Sequence, residues 1–168
     1  MRSILSFSVM VAFGMALLPG SAPAQQAPLK DQIAGTWRIV SNDNVAPDGA
    51  KRQLFGSNPK GVLILAANGQ YVQIFTRGDA PKFKANNRLE GTPEEMKAAY
   101  QGMVATFGTW SVDEVGKTLV TRIDGSLFPN QVGIEQKRVI SLKGDDLTVE
   151  NPTPASGGKS HSVWKRVK

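Results

Sequence analysis

Gly61-Val62-Leu63-Ile64-Leu65-Ala66-Ala67-Asn68-Gly69-Gln70-Tyr71-Val72-Gln73-Ile74-Phe75-Thr76 reads as a β-hairpin. Gly61 to Ala66 is a continuous apolar run. Asn68-Gly69 favours positive φ at both central positions of a tight turn, which is the backbone a two-strand connection needs. After the turn the pattern alternates. Tyr71, Gln73 and Phe75 share one face, and Val72 and Ile74 share the other.

The same period continues outward from this hairpin. Gly35 to Val40 reads as the first strand, and Ser41 to Pro59, rich in Asn, Asp, Gly and Pro, as a long loop. Arg77 to Gly91 is a second loop. Thr92-Pro93-Glu94-Glu95 then breaks the β pattern: it is a capping box with Pro at the first helical position. Met96, Ala99, Tyr100 and Met103 follow at i, i+3, i+4 and i+7, predicting one short amphipathic helix. Strands resume at Thr106 to Val112 and Thr118 to Ile123, joined by a turn at Glu114 to Gly116. Gly125 to Gly133 is a loop of high apolar content. Glu135 to Leu142, Leu147 to Glu150 and Ser160 to Val167 complete the set. Eight short, mostly hairpin-connected strands and one helix predict an all-β fold, a sandwich or a closed barrel. No strand–helix–strand alternation points to a parallel sheet.

The N-terminus reads differently. Arg2 gives a positive start, Ile4 to Leu18 is uncharged and apolar, and Ala22-Pro23-Ala24 is a small-x-small cleavage pattern. The run is about 15 residues, short of the ~20 that a bilayer span needs. Residues 1–24 are therefore expected to be a signal peptide cleaved near Ala24, and 25–168 the mature domain, exported to the periplasm or secreted. A chain of that length makes one domain and buries roughly two-thirds of its surface. Gln25 to Leu29 reads as a short flexible lead-in.

Composition excludes several chemistries. There are no cysteines, so disulfides, thiol nucleophiles and Cys metal sites are impossible. Lys and Arg number 20 against 14 acids, a net +6. The basic residues are dispersed, so the nucleic-acid signal is weak. His161 is the sole histidine, which rules out a multi-His metal site and leaves one candidate base. An isolated strand His is more commonly an ordinary residue. Gly157-Gly158 precedes no helix and cradles no phosphate. Asp145-Asp146 sits in a hairpin turn and reads as solvated. Glu94 and Glu95 are explained by the helix cap. No cofactor or metal is implied.

Gly35-Thr36-Trp37, opening the first strand, resembles the lipocalin signature. Further segments are similar to the small stand-alone lipocalin-like domains: Asn58-Pro59-Lys60-Gly61, Phe107-Gly108-Thr109-Trp110, Gly125-Ser126-Leu127-Phe128-Pro129-Asn130 and Val163-Trp164-Lys165-Arg166-Val167. The resemblance implies an eight-stranded antiparallel up-and-down barrel. It also implies that Trp37 plugs one end while a basic residue of the last strand, Lys165 or Arg166, packs across it. A cation over an indole contributes roughly 0.5–2 kcal/mol. The chain departs from typical lipocalins: its helix follows the third strand rather than the eighth, and no Thr-Asp-Tyr triplet occurs.

A barrel of this size holds one small ligand or is filled by side chains. Tyr71, Gln73, Phe75, Phe107, Trp110 and Arg122 are the candidate lining, with Arg122, if inward, requiring an anion. Alternation also groups Gln136, Arg138 and Ile140, without saying which face is inside. Phe128-Pro129 and the helix face Met96, Tyr100, Met103 are candidate rims. The expected partner is a small apolar or amphipathic molecule. Two alternatives stand beside it: an isomerase, cyclase or hydrolase using Tyr71, Arg122 or His161 in the same cavity, and an envelope interaction protein with a filled barrel.

Overall fold

The computed structural model describes residues 27–168; the expected signal peptide lies outside them. The elements run α1 (Leu29–Ile33), β1 (Gly35–Val45), β2 (Lys51–Arg52), β3 (Lys60–Leu65), β4 (Gln70–Thr76), α2 (Pro93–Gln101), β5 (Met103–Asp113), β6 (Thr118–Ser126), a 3₁₀ turn (Pro129–Gln131), β7 (Glu135–Lys143), β8 (Asp146–Asn151) and β9 (Lys159–Arg166). Every pairing is antiparallel, in the order β1-β3-β4-β5-β6-β7-β8-β9, and β9 returns to β1. Eight strands thus close a barrel with no free edge. The two-residue β2 is appended to β1.

The hairpin forms where Asn68-Gly69 places it, with Leu65 paired to Tyr71, but the turn differs from expectation. Only Gly69 adopts positive φ, 86°; Asn68 does not. Gly69 N donates to the Ala66 carbonyl at 2.9 Å, so a longer turn closed by a left-handed glycine joins the strands. The main difference from expectation is β1, which runs five residues beyond Val40 into the segment read as loop. Asn and Asp are poor strand formers, but here pairing with β9 overrides propensity, from Trp37↔Arg166 to Val45↔Lys159. A β-bulge falls between Ile39 and Ser41. Trp37 and Ile39 are buried before it and Asn42 and Asn44 after it, while Val40 is half exposed. The extra residue switches which parity points inward.

β1 also changes neighbours. Its first half pairs with β3 from Gly35↔Leu65 to Arg38↔Val62. Its second half pairs with β2. The strands part there, and the 46–59 segment folds Leu54 and Phe55 against the core.

One end is sealed. The expected flexible lead-in gives way to α1, which buries Ile33 completely. Its first amides, Leu29 N and Lys30 N, donate to the Glu114 carboxylate at 2.8 and 2.9 Å. Trp37, Leu65, Leu119, Ile123, Leu147 and Trp164 pack densely behind it. Arg166 lies over the Trp37 ring, 4.1 Å from its centroid. It also donates to the carbonyl of Ala34 at 3.0 Å and to that of Gln32. Of the two basic residues implied for this role, Arg166 fills it. Lys165, one residue away and so on the outer face, pairs with Asp146 at 2.8 Å.

The helix α2 has the expected capping box, with Glu95 N donating to Thr92 Oγ1 and Thr92 N to the Glu95 carboxylate. It buries none of its residues. Met103, the last member of the apolar repeat, belongs to β5 instead. Among the described residues no helix is long and apolar enough to cross a membrane.

Candidate ligand-binding site

The end opposite α1 is open. A cavity of about 920 Å³ enters the barrel there. Its apolar wall includes Leu54, Phe55, Phe75 and Val104, and its rim Tyr100 of α2 and Phe128. Phe55 meets Phe75 edge-on at 4.7 Å, and Phe75 meets Trp164 at 5.8 Å, so aromatic packing runs from the rim into the core. The opposite wall is polar, with Asn42, Asn44 and Ser162. Asn44 is held by Ser156 Oγ and the Gly157 carbonyl.

The floor is more unusual. Gln73, Arg138 and Val149 line both the cavity and a void of about 10 Å³ beneath it, which also touches Tyr71, Thr121 and Trp164. That void matches about one water in size. Arg138 is buried, 7 % exposed, and donates to Thr121 Oγ1 at 2.8 Å and to Gln136 Oε1. Burial lowers its pKa from the ordinary guanidinium value, against the opposing effect of Tyr71. The Tyr71 and Thr106 hydroxyls are buried without a well-formed hydrogen bond. Burial raises the Tyr71 phenol above its ordinary value; the nearby Thr106 hydroxyl, the Arg138 charge and the Thr121 hydroxyl act the other way. Among the described residues no three His, Asp or Glu side chains gather into a metal-ligand set.

The family model described as a lipocalin-like domain matches residues 34–167. The chain belongs to the lipocalin-like domain family. It is 28% identical over 101 residues to the 4′-hydroxy-3′-methoxypropiophenone carrier protein ppsC of Aspergillus oryzae, covering 54% of this chain and 91% of that protein. Among solved structures it is similar to two mutants of the fluorescent protein UnaG. One is 18% identical with TM-score 0.37, covering 82% of this chain and 97% of the other. The second is 15% identical with the same TM-score, covering 82% and 98%.

Within this lipocalin-like barrel the six candidate residues divide. Tyr71, Gln73 and Phe75 point inward together, as alternation requires; Gln73 and Phe75 line the cavity and Tyr71 the void beneath. Phe107 and Arg122 are corrections. Phe107 is 55 % exposed, its ring lying over Gly125 on the outer face. Alternation along β5 is unbroken here, with Thr106, Gly108 and Trp110 buried, so Phe107, three residues from Trp110, falls on the other side. Arg122 is exposed between buried Thr121 and Ile123. Trp110 is inward but lies at the sealed end, with Nε1 donating to the Ala66 carbonyl at 2.9 Å and Lys30 over its ring, away from the cavity. His161 shares the outer face with Asp43 and Glu150, its register partners. The buried cation lining the cavity is Arg138. Its grouping with Ile140 was the available signal, as was the Leu119, Thr121, Ile123 set opposite Arg122. Asn42 and Asn44 gave none, because the bulge that turns them inward has no distinct residue pattern.

Proposed function

We propose that this protein is an exported carrier that holds one small amphipathic molecule in the open end of its barrel. The observation that carries the reading is the cavity of about 920 Å³, sealed below and open above, within the range of small-molecule sites. One wall is aromatic and aliphatic and the other amide and hydroxyl, which suits a molecule with an apolar body and polar substituents. The relative ppsC is named as carrier of a phenolic aryl ketone, a compound of that kind. A filled-barrel interaction protein would lack this space. The catalytic alternative loses Arg122 and His161 to the outer surface. Export rests on the sequence of residues 1–24. It is tested by the intact mass of protein from its own envelope fraction, which should begin at Gln25.

Binding is tested by titrating purified protein with the neutral probe 1-N-phenylnaphthylamine. We expect saturable one-to-one fluorescence enhancement, weakened in Val104→Trp, where an indole projects from the apolar wall into the cavity. Non-saturable uptake, or uptake indifferent to that substitution, would refute the assignment.

A further inference from the structure

We propose that Arg138 receives an oxyanion of the ligand, so that the carrier takes its cargo carboxylate-first, with the apolar body along Phe75 and Phe55. The inference rests on the cavity reading above. Arg138 is buried at the floor, yet its two protein partners, Thr121 and Gln136, are both neutral. The ion pairs among the described residues are Arg77–Asp79, Lys137–Glu135, Lys165–Asp146 and Lys168–Asp145, none of which includes Arg138. Residues 1–26 contain no Asp or Glu that could reach it. Tyr71 is a neutral phenol near pH 7, burial only raising its pKa further, and is no counter-ion either.

A buried charge without a partner is costly, and guanidinium is not relieved by deprotonation. Thr121 and Gln136 use two of the five N–H donors of Arg138. Three donors remain, enough for the two parallel hydrogen bonds by which a guanidinium takes a planar carboxylate. The rest of the cavity carries the same sign. Its charged lining residues are Arg52, Arg77, Arg138 and Asp79, and Asp79 is already bound by Arg77 at 2.9 Å. The apolar wall above the floor excludes a small inorganic anion as the preferred cargo and favours a carboxylate attached to an apolar body.

The test compares 4-(1-pyrenyl)butanoate with its methyl ester, a pair differing in charge and one methyl group. A hydrogen-bonded charge is worth roughly 1.5–3 kcal/mol, so the carboxylate should bind the wild type about ten- to a hundred-fold more tightly than the ester. Arg138→Met should erase that preference while keeping ester binding. Arg122→Met, on the outer face, should keep it. If Arg138→Met does not fold, Arg138→Gln replaces it, and the wild-type comparison stands independently of both. Equal affinity for the two compounds in the wild type would overturn the proposal while leaving the cavity reading intact. A preference surviving in the folded Arg138 variant would overturn the assignment to Arg138. Failure of both compounds and of 1-N-phenylnaphthylamine to bind would overturn the proposal together with the carrier reading.

Discussion

Replacing Arg166 by methionine removes the cation that closes the sealed end while keeping an apolar stem of similar length. Three interactions go. The stacking on Trp37 at 4.1 Å contributes about 1 kcal/mol at a half-buried site. The hydrogen bonds to the Ala34 and Gln32 carbonyls contribute about 1.5 kcal/mol each, being made by a charged donor. Water regains part of this, because the site is only partly buried, leaving a net loss of about 3 kcal/mol. With roughly 140 ordered residues the unfolding entropy is about 0.3 kcal/mol/K, so the midpoint should fall by about 10 °C. Thermal unfolding followed by circular dichroism measures it. Lys165→Met is the matched control: its pair with Asp146 is exposed and should cost under about 1 kcal/mol. Arg166→Lys should fall between, keeping a charge near the indole but not the two-pronged reach. If the Arg166 and Lys165 methionine variants melt within 2 °C of each other, roughly 0.6 kcal/mol on the same scale, the closure described here is wrong.

Three further outcomes are expected. Tyr71 has a phenol pKa raised by burial from 10.0; between that value and the folded one the native state binds more protons than the unfolded, so stability declines as pH rises above about 10. Tyr71→Phe should remove that part of the alkaline decline and change neutral-pH stability by under about 1 kcal/mol, since the hydroxyl lacks a well-formed bond; an unchanged alkaline slope in urea titrations would count against it. Gly61→Ala would drive a Cβ into the Ile74 carbonyl and Phe75 Cα, a backbone clash worth about 3 kcal/mol; a loss under about 1 kcal/mol would show that β3 and β4 have room to separate. Glu114→Gln should speed amide exchange at Leu29 and Lys30 several-fold by weakening the acceptor at the start of α1, with global stability changed by under about 1 kcal/mol; unchanged exchange would mean that Ile33 and Trp37 packing alone hold α1.

Local signals carried most of the barrel. Asn68-Gly69 determined one hairpin, and Thr92 with Glu95 determined the start of α2, because in each case neighbouring residues settle the backbone. What escaped depended on partners distant in sequence. Ser41 to Val45 looks like loop and becomes strand only because β9 pairs with it. α1 starts at a carboxylate more than eighty residues away, in the β5–β6 turn. The site was legible in part for the same reason. Alternation grouped Tyr71, Gln73 and Phe75 correctly, but the inward face is a property of the closed barrel. Arg122 and Arg138 exchange roles once Leu119 and Ile123 claim the interior of β6.

The bulge at Val40 has an electrostatic consequence. With unbroken alternation after Trp37 and Ile39, the inward positions would be Ser41 and Asp43. A carboxylate would then stand inside the same vestibule as Arg138 and compete with any acidic guest. The single supernumerary residue sends Asp43 to the outer face, where it accepts from Gln53 at 3.2 Å, and turns the neutral amides of Asn42 and Asn44 inward. The polarity of the chamber is thus set by a frame shift of one residue in the strand that lines it, as well as by the charges it displays.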